Sequence, residues 1–114
     1  MKYIIILSLF FSSLGFSQQS NLKSLNVSFL VKGVCEMCKD RIENGTLKLK
    51  GVKYVNWDII SSNISLIYNS KKISLDEIHK GISLLGHSTG KYTAPSEIYN
   101  SLPDCCLYET LEKH

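Results

Sequence analysis

The sequence predicts an α+β domain of the ferredoxin-like βαββαβ type, an antiparallel sheet with two helices on one face. Two observations support this fold. Segments with apolar residues at every second position, as in half-buried strands, alternate with segments whose apolar residues recur every three or four positions, as in amphipathic helices. The middle two strand segments are separated only by a short polar turn, which predicts a hairpin.

The strand segments are located by their alternation. The first covers residues 25–32 and ends at a glycine, and the second covers residues 52–59. A serine- and asparagine-containing turn at 61–63 leads into the third strand at 64–68. Weaker alternation predicts a short fourth strand at 87–92. This strand follows the second helix and completes the βαββαβ order.

The first helix is predicted within residues 35–49, entered from a loop. Its apolar stripe contains Cys35, Cys38, Ile42 and Leu49. The charged residues between them are expected to face outward: Lys39, Asp40, Arg41 and Glu43.

The second helix is predicted to begin after Ser74, because Glu77 three residues later completes a capping box. Its apolar residues then recur at helical spacing: Leu75, Ile78, Ile82 and Leu85. Gly86 is expected to end it. His79 on this helix and the terminal His114 have no evident partners, so both are expected to be solvated.

The N-terminal segment has the order of a secretory signal. Lys2 is followed by an apolar stretch at 3–11, and Gly15 and Ser17 fit the small residues required at a cleavage site. We therefore expect residues 1–17 to be a cleaved signal and the protein to be exported to a bacterial periplasm. An uncleaved anchor is the alternative, but the apolar stretch is shorter than the roughly 20 residues that span a bilayer.

Composition argues against two broad classes of function. The formal net charge of +3 is small and the lysines are scattered, which disfavours a nucleic-acid-binding surface. The sequence contains no serine-nucleophile elbow, no phosphate-binding loop and no pair of carboxylates with an obvious pocket, so we do not predict an enzyme.

The strongest chemical signal is the pair Cys35 and Cys38, separated by two residues. This gap lets both sulfurs point at one centre, and the unpaired N–H groups of a first helical turn favour a thiolate. Two thiolates suit a soft ion such as Cu(I). The same motif serves thiol–disulfide exchange, so a redox protein is the alternative.

The residues around this pair resemble the heavy-metal-associated domain family of copper chaperones, copper-ATPase metal-binding modules and mercury-binding proteins. The resemblance covers about residues 25–92 and rests on Lys32-Gly33-Val34-Cys35-Glu36-Met37-Cys38, Arg41-Ile42-Glu43 and Gly51-Val52. It implies that Cys35 and Cys38 bind the metal. It also implies a carrier or scavenger that exchanges metal with a metal-transporting membrane protein or another CxxC carrier. Hg(II), Zn(II) and Cd(II) are alternatives to Cu(I).

The same resemblance bears on His87, since the family's loop after the second helix approaches the metal loop. His87 is accordingly a candidate ligand or tuning residue, the alternative being a surface histidine at a strand start. The chain is expected to divide into the signal, a flexible stretch at 18–23, the heavy-metal-associated domain at 24–93 and a tail at 94–114.

The tail, with a possible helical turn at 97–102, carries a second cysteine pair, Cys105 and Cys106. A bond between adjacent cysteines is strained, so they are expected to act outside their own pair. A chain end is mobile unless it is tied down. We therefore predict that Cys105 or Cys106 reaches the Cys35–Cys38 site and adds a third sulfur. The alternative is a disulfide-stabilised interaction module in which the four cysteines are purely structural.

Overall fold

A computed structural model describes residues 23–114 and shows a three-stranded antiparallel sheet with helices. The order along the chain is β1 (Ser24–Leu30), α1 (Glu36–Leu47), β2 (Val52–Trp57), β3 (Asn63–Asn69), α2 (Leu75–Ser83), α3 (Ser96–Asn100) and a 3-10 turn (Asp104–Cys106). The predicted signal at 1–17 lies outside the described residues. Within residues 23–114, no helix combines the length and apolar character needed to cross a membrane.

The sheet has the order β1-β3-β2, as expected when a β2–β3 hairpin pairs with the first strand of a ferredoxin-like domain. β3 lies in the centre, and its alternate residues Ile64, Leu66 and Tyr68 are buried. In register, Leu66 pairs with Val27 of β1 and Val55 of β2. The predicted alternation therefore places one apolar face of the sheet in the core.

The predicted fourth strand is reduced to a single antiparallel bridge between Val31 and Thr89. The reason lies in how this segment uses its backbone. The Thr89 N–H donates to the Tyr92 carbonyl, and the Thr89 hydroxyl accepts from the N–H groups of Lys91 and Tyr92. A segment closed into such a turn cannot pair further with β1.

The end of the hairpin is held by Trp57, which is fully buried. Its indole N–H lies 3.0 Å from the carbonyl oxygens of both Val31 and Ser62, tying the end of β1 to the β2–β3 turn. Gly33 packs under the ring, because a Cβ there would come within 2.9 Å of it. The position of the loop that leads to Cys35 is therefore fixed by packing against the Trp57 ring.

The two long helices begin where they were predicted to begin, but some side chains predicted to face solvent make contacts within the domain. Ser74 and Glu77 form the predicted capping box at α2. On α1, Lys39 and Glu43 do not simply face outward: their side chains pair at 2.7 Å, and Glu43 accepts the Trp57 backbone N–H at 2.8 Å. This ion pair fastens α1 to the end of β2.

The tail is packed onto the domain. Leu102 and Cys106 belong to the buried core. The Tyr108 hydroxyl donates to the Gly86 carbonyl at 2.7 Å and accepts the Ser88 N–H at 3.1 Å. At the chain end, the His114 N–H donates to the Val34 carbonyl at 2.8 Å. The tail thus crosses the loop after α2 and returns to the loop before α1.

Two histidines lie deeper than expected. His87 is completely buried, so the alternative of a surface histidine was wrong: its ring packs 5.5 Å from that of Tyr108 and its Nδ1 lies 2.7 Å from the Lys32 carbonyl. His79 is also buried, stacked 3.9 Å from the Phe29 ring, and was wrongly expected to be solvated. His114 is exposed, as expected.

Burial of His87 predicts a specific loss of stability in acid. Burial lowers the pKa of His87 from 6.5 to about 4, with smaller effects from Lys32 and Arg41. Between these values the unfolded chain binds a proton that the folded chain does not. The stabilisation is therefore complete above about pH 6.5 and falls as the pH drops towards 4, by about 3 kcal/mol at most.

The measurement is urea denaturation of the parent and of His87→Gln across this range. The variant is expected to show a shallower fall in unfolding free energy as the pH is lowered. The lowered pKa of His79, caused first by burial, contributes equally to both proteins. Parallel profiles for the two proteins would contradict the prediction.

Candidate metal centre

Four cysteine sulfurs meet where the loop before α1 touches the 3-10 turn of the tail. The Cys35 sulfur is central, 3.4 Å from that of Cys38 and 3.7 Å from that of Cys106. The Cys105 and Cys106 sulfurs are 3.9 Å apart. The sulfurs of Cys35, Cys105 and Cys106 all lie within 4.8 Å of one another, and all four residues are free thiols.

Local backbone structure aims these sulfurs. Cys35 is the N-cap of α1, in extended conformation with φ −151°, and Cys38 lies in the first turn. The two tail cysteines lie in the 3-10 turn that follows Pro103. The Cys35 sulfur also lies 3.3 Å from the Cys105 carbonyl oxygen, so the turn approaches the helix start with backbone as well as side chains.

The two cysteines of the CxxC pair differ in acidity. Burial raises the pKa of Cys38 to about 12, and hydrogen bonds of its thiol to Cys106 and Cys35 add to this. Burial also opposes ionisation of Cys35. Hydrogen bonds to its sulfur from the backbone and thiol of Cys38 and from the thiol of Cys106 outweigh burial and lower the pKa of Cys35. Cys35 is thus the preferred thiolate, with Cys38 retaining a proton that a metal ion would displace.

The cluster is buried on one side and open on the other. Cys38 and Cys106 have no exposed surface and Cys35 is almost completely buried, whereas Met37 is 49% exposed. The Met37 sulfur lies 3.3 Å from that of Cys105, on the open side. A soft ion could therefore approach past Met37 and Cys105 towards the buried sulfurs.

Arg41 was expected to face outward, and this was wrong. Its Nη1 lies 3.2 Å from the Cys106 sulfur and 3.3 Å from Nε2 of His87, and the residue is half-buried. The available sequence signal was its position three residues after Cys38, which places both on the same side of the helix. Its partners lie far away in the chain, so the sequence did not reveal them.

His87 does not itself belong to the three-sulfur group found among residues 23–114. The Lys32 carbonyl and the Arg41 guanidinium occupy its two ring nitrogens, so His87 reaches the cysteines through Arg41. Its role as a metal ligand stays a prediction. The structure brings Cys35, Cys38, Cys105 and Cys106 together, and their ligation of a metal is likewise a prediction.

No family model and no curated protein matches this chain. Among solved structures, the CopZ metallochaperone is 20% identical, with coverage of 57% of this chain and 98% of that one and a TM-score of 0.55. The N-terminal domain of a potential copper-translocating P-type ATPase from Bacillus subtilis, in its Cu(I)-loaded state, is 24% identical (58% and 84% coverage, TM-score 0.55).

Oxidized MerP from Ralstonia metallidurans CH34 is 19% identical to this chain, with coverage of 59% of this chain and 94% of that one and a TM-score of 0.56. At these identities the likeness shows the fold. The matches span nearly all of CopZ and MerP but under two thirds of this chain. The fold that the sequence resemblance implies is confirmed: residues 23–114 contain a domain with the ferredoxin-like fold that CopZ and MerP share.

Proposed function

We propose that this protein binds a soft metal ion, Cu(I) above others, and carries or sequesters it in the cell envelope. The ligands are the thiolates of Cys35 and Cys38, and one tail cysteine adds the third, Cys106 in preference to its neighbour Cys105. The observation that carries the proposal is the convergence of both cysteine pairs on one centre, although Cys35 and Cys106 are 71 positions apart in sequence.

The donor set supports a soft ion. The three-sulfur group contains neither a carboxylate nor a histidine, and thiolates select Cu(I) and other soft ions over hard cations. One of the structurally similar domains is described as Cu(I)-loaded. Hg(II), Zn(II) and Cd(II) also bind thiolates and are the competing cargo.

Ligand exchange is the mechanism that this geometry favours. An incoming ion first meets the open side of the cluster, then Cys35, whose lowered pKa favours the thiolate. Binding to Cys38 releases its proton to solvent. Release to a partner runs in reverse, with the partner's thiolates replacing those of this protein one at a time. The proposed partner is a metal-transporting membrane protein or another CxxC carrier.

One observation favours a second candidate function. A Cys35 sulfur of lowered pKa lies 3.4 Å from the Cys38 thiol, an arrangement that also serves thiol–disulfide exchange. The attacking thiolate would be Cys35 and the resolving thiol Cys38. We rank it second because the exchange reaction requires only two of the four clustered sulfurs.

The primary test is Cu(I) affinity, measured by competition of the reduced protein with a chromogenic chelator. Cys35→Ser and Cys38→Ser are each expected to weaken binding by more than about 100-fold, since loss of a direct ligand exceeds the usual 10- to 100-fold effect of outer-shell changes. Exposed Ser96→Ala is a matched control, expected to bind as the parent does. Unchanged affinity in both cysteine variants would contradict the proposed site. Absence of Cu(I) binding with repeated turnover of a disulfide substrate would favour the redox function.

The role of the tail is tested by X-ray absorption of the Cu(I) form. The parent is expected to show three sulfur neighbours, and Cys105→Ser/Cys106→Ser two, because only the CxxC pair then remains. The single variant Cys105→Ser distinguishes the two tail cysteines. We expect it to keep three sulfurs, because the Cys106 sulfur contacts that of Cys35 at 3.7 Å. Two sulfurs in parent and double variant alike, with equal affinity, would assign the tail a structural role.

Location in the cell envelope rests on the charge, apolar core and small residues of residues 1–17. Expression in a bacterial host followed by intact mass of the periplasmic protein is expected to give a chain that begins at Gln18. A full-length product retained in the membrane would show that this segment is an anchor.

A further inference from the structure

Arg41 is a half-buried cation that takes part in none of the salt bridges formed within residues 23–114. Its guanidinium instead contacts a sulfur, that of Cys106, at 3.2 Å, and the ring of His87 at 3.3 Å. A half-buried guanidinium has lost part of its hydration, and an anionic partner offsets that loss. Of these two contacts, the Cys106 sulfur is the one that can become an anion.

His87 determines where this guanidinium points. Its Nδ1 lies 2.7 Å from the Lys32 carbonyl oxygen, which can only accept, so Nδ1 carries the proton. Nε2 then presents a lone pair, which accepts an N–H from Arg41. The imidazole is fully buried and packs against the Tyr108 ring, so it provides a fixed acceptor. A fixed acceptor on one side directs the guanidinium to the sulfur on the other.

The charge of the metal complex gives this arrangement a function. Cu(I) held by two thiolates has a net charge of −1, and a third thiolate makes it −2. An added negative charge in a buried site is costly unless a positive group lies beside it. Arg41 places its positive charge against the very sulfur that would be the third ligand, so it compensates the charge at the step where it increases.

We propose that Arg41 is the counter-cation that lets Cys106 act as the third thiolate, and that His87 is the positioning residue that holds Arg41 in place. This inference rests on the proposed soft-metal function and specifies how that site accepts three sulfurs. It assigns His87 an effect on the metal without ligation. The residue would alter the coordination number of Cu(I) through Arg41.

The test uses the reduced full mature chain loaded with one equivalent of Cu(I). Sulfur neighbours are counted by X-ray absorption, and affinity is measured by chelator competition. Arg41→Gln is expected to shift the ion from three sulfurs to two and to weaken binding about 10- to 100-fold, the usual effect of an outer-shell change. Arg41→Lys retains the charge without the fork and is expected to restore three sulfurs at intermediate affinity.

Two further variants make the test specific. Lys48→Gln removes one positive charge from an exposed position at the end of α1 and is expected to keep three sulfurs and parental affinity. His87→Phe keeps a ring but removes both hydrogen bonds, and it is expected to give a coordination number between two and three. If His87→Phe does not fold, the Arg41 variants still decide the question.

The possible outcomes distinguish failure of this inference from failure of the proposed function on which it rests. Three sulfurs and unchanged affinity in Arg41→Gln would overturn the role of Arg41 and leave the proposed metal binding intact. A parent with two sulfurs would overturn the third ligand and this inference together, while the CxxC site would stand. A parent that binds no Cu(I) would overturn both the inference and the proposed function.

Discussion

The docking of the tail across the loop after α2 is the contact on which the cysteine cluster depends. Tyr108 joins the Gly86 carbonyl and the Ser88 N–H through one hydroxyl. Gly86 has a φ of +104°, a conformation that side-chain-bearing residues rarely adopt, and a Cβ there would meet Leu102 at 2.9 Å. Position 86 therefore favours glycine for two reasons: the positive φ after the end of α2, and the close packing of the tail over this position.

This docking turns a two-residue motif into a larger centre. A CxxC loop alone offers two sulfurs at the surface of a small domain. With the tail in place, Cys106 is buried beside Cys35, and behind it lie the buried His87 and the half-buried Arg41. Water is excluded from one side of the cluster, which strengthens the interactions of the charges that remain there. For the same reason, the positive charge of Arg41 interacts more strongly with charge on the cluster than it would in water.

The elements of the fold were largely predictable because their signals are local. Alternation located β1, β2 and β3, and the Ser74–Glu77 pair located the start of α2. The fourth strand was not predictable from alternation. Thr89 can hydrogen-bond its own neighbours through both backbone and hydroxyl, and this local turn replaced pairing along the sheet edge.

By itself the sequence determined the CxxC loop at the start of a helix, the strands beneath it and the presence of a second cysteine pair. Those features depend on neighbours a few positions apart. Only the tertiary structure decided which groups meet the sulfurs, since Arg41 lies 46 positions from His87 and 65 from Cys106. Burial of His87 and the inward turn of Arg41 arise from packing between distant segments, and no periodicity or spacing in the chain encodes such contacts.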